Sequence, residues 1–147
     1  MNAIQLLKDD HDAMKKMLTE LESTTERGTK TRAALFAKVR EELTVHEVIE
    51  EEIFYPALKE HPKAKEIVLE AYEEHGVVDM IMAEIEGVAF DDETWGAKFT
   101  VMKENIEHHI EEEEKEMFEQ ARDVFDGSEL EALGERMMSR KQQLMAA

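Results

Sequence analysis

Apolar residues recur along the chain at the three-and-four spacing that gathers side chains onto one face of a helix. Ile4, Leu7, Met14, Leu18 and Leu21 make one stripe. Phe36, Val39, Leu43, Ile53 and Ala57 make a second, with Phe54 at its edge. Val68, Ala71, Tyr72, Val78, Met82 and Ile85 make a third, and Trp95, Phe99, Met102, Ile106, Ile110, Met117 and Ala121 a fourth. The pattern predicts an all-α protein of five segments. Segment A runs from about Ala3 to Arg27, capped by Asn2 with Gln5 at the capping-box position and stopped by Gly28. Segment B runs from about Lys30 to Glu60, with Pro56 bending its last turns. Segment C opens at Pro62 and breaks at Gly87 after Glu86. Segment D is capped by Asp91 or Asp92 and runs to about Phe125 before Gly127. Ser128 with Glu131 opens a short segment E that ends near Leu144. Short connections make successive helices antiparallel neighbours, so the expected architecture is an up-down-up-down four-helix bundle. The whole of 1–147 reads as one domain, with the bundle over about 1–125 and a helical appendage over about 128–145.

Several polar residues interrupt the apolar stripes. A helix advances roughly 100° per residue, which fixes the direction of each side chain. His11 falls in the centre of the first stripe. His46 and Glu50 fall in the second, His75 and Asp79 in the third, His109 and Glu113 in the fourth. His108 and Glu112 share the same spacing but lie roughly 100° behind, towards solvent. His61, beside Pro62, reads as surface, and Glu47, Glu51, Glu52, Glu111, Glu114 and Glu116 read as a solvated acidic face. Antiparallel packing brings the four stripe histidines to one level near the middle of the bundle.

Composition narrows the chemistry. The 36 acidic residues outnumber the 18 basic ones, for a net charge of −18, which repels nucleic acid and anionic membranes. The absence of cysteine excludes disulfides, thiolate chemistry and iron–sulfur clusters. The opening "MNAIQLLKDDHDAMKK" has no basic stretch followed by an apolar run, so no secretory signal is visible and the expected location is cytoplasmic. The ten methionines are core filler.

Burying a carboxylate without a partner is costly. Four imidazoles and two carboxylates on facing stripes therefore point to shared cations. They are too many for one tetrahedral zinc and suit two metals bridged by carboxylates. A sulfur-free N/O donor set suits iron best, with manganese and zinc behind.

His11, His46 with Glu50, His75, and His109 with Glu113 reproduce the H…HxxxE…H…HxxxE order of hemerythrin-like (HHE cation-binding) domains, and "HEVIEEEIFYPAL" and "AYEEHGVVDMIM" resemble that family's segments. The resemblance covers about residues 1–125. It implies a four-helix bundle carrying two iron ions in an oxo- or hydroxo-bridged centre, with Glu50 and Glu113 bridging and the four histidines capping. The chain departs from the oxygen carriers of that family. Its third helix has His75 followed one turn later by Asp79 in place of a second histidine, and its last carboxylate is Glu113 rather than an aspartate. One iron is then more open, which weighs against reversible oxygen carriage. Asp79 is placed either to bind that iron or to orient a histidine. Tyr55 points away from His46 on an ideal helix, but Pro56 disturbs its turn, so it is either a ligand or a packing residue.

The expected function is a reaction with a small oxidant, foremost a catalase-like decomposition of hydrogen peroxide. The alternatives are a module that binds or senses dioxygen or nitric oxide without turnover, iron buffering, and a purely structural bundle. No phosphate loop and no nucleophile motif points elsewhere.

Overall fold

The computed structural model describes residues 1–147. The chain forms α1 (Ala3–Glu22), α2 (Thr29–Ile49), a π-helical turn (Glu50–Phe54), α3 (Tyr55–Lys59), α4 (Lys65–Glu86), α5 (Trp95–Glu112), a second π-helical turn (Glu113–Met117), α6 (Phe118–Val124) and α7 (Gly127–Ala146), with no strand. No helix is long and apolar enough to cross a membrane.

Local chemistry sets the helix ends. The Asn2 side chain accepts the Gln5 N–H at 2.8 Å and starts α1 as expected, but Gln5 turns its own amide to Asp9 instead of back to the cap. The helix stops at Glu22, earlier than Arg27. There the hydroxyls of Ser23 and Thr24 donate to the carbonyls of Glu20 and Leu21 at 2.6 and 2.7 Å, offering the backbone a turn in place of another helical bond. Gly28 is therefore not the stop of α1 but the residue that precedes α2. Asp92, rather than Asp91, organises the start of α5, accepting the Thr94 N–H and hydroxyl at 2.7 and 2.6 Å.

The C-terminal helix differs most from expectation. It has 20 residues, the same length as α1, and is no short appendage. Its capping box is Asp126 with Glu129, not Ser128 with Glu131, because the helix begins at Gly127 and moves the cap upstream. It packs on α1, α2 and the first π-helical turn. Gly134 makes this possible: a Cβ there would lie 2.7 Å from the Asn2 carbonyl carbon and 2.8 Å from the Ala3 nitrogen. Arg140 adds a two-pronged pair to Glu52 at 2.8 and 3.2 Å.

The core divides into two clusters along the bundle. One holds Leu6, Leu7, Phe54, Tyr55 and Phe118 with Leu130, Leu133 and Met137 of α7. The other holds Met14, Leu18, Leu21, Phe36, Trp95 and Phe99. At the far end of this second cluster, buried Arg32 bonds the Phe90 and Thr24 carbonyls at 2.7 and 2.9 Å and lies 4.3 Å over the Trp95 ring, tying two connections together. On α1 and α4 the chain passes from one cluster to the other through a single buried histidine, on α2 through His46 and Glu47, and on the fourth site-bearing helix through His109 and Glu113. The polar layer lies between two apolar ones.

Candidate metal centre

His11, His46, Glu50, His75, His109 and Glu113 converge in this layer, each no more than 8 % exposed. Every Nε2 faces a carboxylate. His11 lies 2.9 Å from Glu113 Oε1. His46 and His75 lie 3.2 and 3.3 Å from Glu50 Oε1, and His109 lies 3.3 Å from Glu113 Oε2. The donors fall into two overlapping groups, His11, His46, Glu50 and Glu113 in one and Glu50, His75 and His109 in the other. Glu50 belongs to both, and Glu113 turns one oxygen to His11 and the other towards His109.

The two π-helical turns begin at Glu50 and Glu113, four residues after His46 and His109. A π turn inserts one residue into the helical register, and such turns gather at functional sites. The insertion sets the register back by roughly 100°. Ala57, expected on the stripe, is therefore only half-buried, while Tyr55 and Leu58 are fully buried. Tyr55 does not point away. Its hydroxyl donates to Glu113 Oε2 at 2.5 Å and lies 3.4 and 3.3 Å from Nε2 of His75 and His109.

Each histidine is held from behind by a carboxylate of another helix. Nδ1 of His11 lies 2.7 Å from Glu114, that of His46 3.0 Å from Asp10, that of His75 2.9 Å from Glu51 and that of His109 2.6 Å from Glu74. These pairs close a ring through the four helices. Fixing Nδ1 aims Nε2 inward and sets the ring orientation that a metal requires. Sequence reasoning missed all four carboxylates, and it placed Glu51 and Glu114 on the solvated face. The signal was adjacency: Asp10 and Glu74 immediately precede His11 and His75, and Glu51 and Glu114 immediately follow Glu50 and Glu113. One residue from a core position, a side chain points sideways to the neighbouring helix.

Three other expectations need correction. Asp79 is exposed and stays out of the convergent cluster, because its position on α4 turns it outward against Glu47. Glu47 is not solvated: it is 7 % exposed, at the inner edge of α2. His61 is half-buried, with its ring edge-on to Phe125 at 5.2 Å. His108 lies at the surface with Glu112, 3.2 Å away, as its angular position requires.

Electrostatics binds the layer together. Burial pulls the His46 imidazole down, but Glu50 and Asp10 hold it up at about 10. Burial also opposes the charge on His75, which Glu50 raises to about 9. Burial acts likewise on His109, yet Glu113 lifts it well above the ordinary range. Burial pushes Glu113 up, and the close approach of Glu50, His109 and His11 drives it well below the ordinary carboxylate range. Burial and then the charges of Glu113 and Glu50 raise the Tyr55 phenol, which keeps its proton.

The residues fit a pair of metal ions. Nε2 of His11 and His46, both Glu50 oxygens and Glu113 Oε1 are buried without a hydrogen-bond partner. Unmade bonds on buried polar groups are costly, and five gathered in one place call for a common partner. Two cations taking N and O donors satisfy them all.

The fold and this layer define a metal-binding helical bundle. The sequence profile of the Hemerythrin HHE cation binding domain matches residues 2–121, and the chain belongs to that family. The crystal structure of a Hemerythrin HHE cation binding domain-containing protein from Mycobacterium kansasii is similar to it, with 28 % identity and a TM-score of 0.86, covering 98 % of this chain and 87 % of that one. Among curated proteins nothing matches. The family implies a bound metal cluster and a small-molecule ligand. Helix α7 lies beyond the residues that the family profile matches.

Proposed function

We propose that this chain is a non-haem di-iron protein that reacts with small oxidants, with the decomposition of hydrogen peroxide as its reaction. Its four site-bearing helices run up-down-up-down. The observation that carries the reading is the convergence of four Nε2 atoms and two carboxylates, five of whose atoms are buried and unpaired. Two irons held there would supply a two-electron couple and positions open to a small molecule. His11, His46, His75 and His109 would hold them together with Glu50 and Glu113.

The chain's own residues do the rest. The ring of Asp10, Glu51, Glu74 and Glu114 holds the imidazoles in place. Tyr55 holds a proton on its hydroxyl beside Glu113. A cavity of about 260 Å³ opens onto His11, His46, His75 and His109, with an apolar wall of Met14, Met17, Leu43, Val78, Ile106 and Ile110. Disproportionation converts two hydrogen peroxide molecules into one dioxygen and two waters, so electrons and protons balance without an outside reductant.

That wall also favours a second reading, in which the chain binds dioxygen or nitric oxide without turnover, since apolar gases suit an apolar cavity. Metal analysis followed by an oxygen electrode separates the two. Two irons per chain with sustained oxygen release from peroxide supports the enzyme. Two irons with a reversible gas-dependent spectrum and no sustained release supports the binding module. A chain that takes up no iron under anaerobic conditions overturns both.

A further inference from the structure

A second group of oxygen donors lies just outside the centre. Glu47 is 7 % exposed, and its Oε2 is buried without a hydrogen-bond partner. It stands 3.7 Å from Nδ1 of His75 and lines the cavity that opens onto the four histidines. Glu51 reaches the same histidine from the next turn, with 39 % of its side chain exposed. Donor atoms of Glu47, Glu51 and His75 lie within 4.8 Å of one another. Asp79 lies against Glu47 from α4 and is itself exposed. Exposure thus falls from Asp79 through Glu51 to Glu47, and from Glu47 the next donor is His75 of the centre.

An unpaired buried carboxylate at the inner end of a graded row of carboxylates has no structural cause in the apolar core. Glu47 and Glu51, with Asp79 against Glu47 on the solvent side, make a hard, oxygen-rich set, suited to divalent ions held loosely between water and protein. We propose that Glu47, Glu51 and Asp79 form a third divalent-cation site that feeds metal ions from solvent into the centre. The proposal rests on the two-metal reading of the centre. Glu51 stays on His75 Nδ1 through one oxygen and has a second to offer. Glu47 takes the ion at the cavity wall, and Asp79 receives it from water. The net charge of −18 draws cations to such a port.

The test titrates the metal-free protein with Co2+, counts bound ions by calorimetry and visible absorption, and follows loading by stopped flow. Wild type should bind three Co2+ per chain, two tightly and one weakly. Glu47→Gln and Asp79→Asn should each bind two, and should fill them about tenfold more slowly, as expected when a local charge that concentrates cations is removed. Asp79→Asn changes an exposed residue and folds even if Glu47→Gln does not. Glu70→Gln, which removes an exposed charge elsewhere on α4, should load like the wild type. A wild-type count that stops at two, or wild-type loading rates in both variants, overturns the third site and leaves the centre standing. A wild-type chain that binds no Co2+ at all overturns the centre itself.

Discussion

Tyr55 and Phe118 occupy matching places in the two halves of the bundle. Each follows a histidine by nine residues, His46 in one case and His109 in the other, and each is the first residue after a π-helical turn. Only one carries a hydroxyl. Tyr55 donates it to Glu113, the carboxylate of the opposite half, whereas the Phe118 ring stacks on His11 at 5.8 Å with planes 6° apart. Glu50 has no equivalent donor, and both of its oxygens are unpaired. The two donor groups are therefore chemically unequal.

Tyr55→Phe should keep both metals. It removes a hydrogen bond to a charged group, which should cost about 1.5–3 kcal/mol in the metal-free protein, read as a shift in the urea midpoint. Tyr55 spends its proton on Glu113, so the iron-loaded wild type should show no visible phenolate-to-iron band. Such a band, lost in the variant, would show Tyr55 to be a ligand.

His46→Ala and Glu113→Ala should each lose metal, measured as metal per chain after dialysis. His108→Ala should retain the wild-type amount, because His108 is exposed and pairs with Glu112 outside the layer. Full occupancy in both of the first two variants contradicts the site.

Asp10→Ala should weaken metal binding without abolishing it. Asp10 accepts from His46 at 3.0 Å and pairs with Lys141 of α7 at 2.5 Å, so it transmits the position of α7 to an imidazole. Loss of such a partner typically costs roughly 10–100-fold in metal affinity. Competition with a chelator of known affinity reads this directly, and unchanged affinity would remove Asp10 from the centre.

The metal-free protein should lose stability as pH rises from about 6.5 to 10, the interval set by the raised histidines. His46 at about 10 and His75 at about 9 hold protons more tightly in the folded chain than an ordinary imidazole does at 6.5. Their contribution is complete below the unfolded value and is lost as pH climbs through the folded ones. Glu47, at about 8 against 4.5, has the same sign over a lower interval. Thermal melts from pH 6 to 10 should show a falling midpoint. Bound metal replaces these protons, so the loaded protein should melt with a flatter profile. A level midpoint in the metal-free chain contradicts the assignment.

Gly134→Ala should destabilise the protein by about 1–3 kcal/mol, the usual cost of an added methyl group in a packed interior. The new Cβ meets the backbone of Asn2 and Ala3, which cannot move aside as a flexible side chain would. The denaturation midpoint measures this, and an unchanged value would show that α7 is held loosely.

The sequence by itself determined what shares a helical face. Periodicity placed His11, His46, Glu50, His75, His109 and Glu113 on the apolar stripes, Asp79 with them, and separated His109 from His108, because facing is a local property of a regular helix; the H…HxxxE…H…HxxxE order carried the family resemblance. Tertiary structure decided what regularity cannot supply. The π turns shift the register after Glu50 and Glu113, and that inserted residue, not Pro56 by itself, brings Tyr55 inward. Asp10, Glu51, Glu74 and Glu114 acquire their roles only once it is known which helix lies beside which. Glu47 looked like one more solvated glutamate until α4 covered it, and α7 looked short until Gly134 showed how closely it crosses the start of α1. Each of these depends on contacts between residues far apart in the chain, which no one-dimensional pattern encodes.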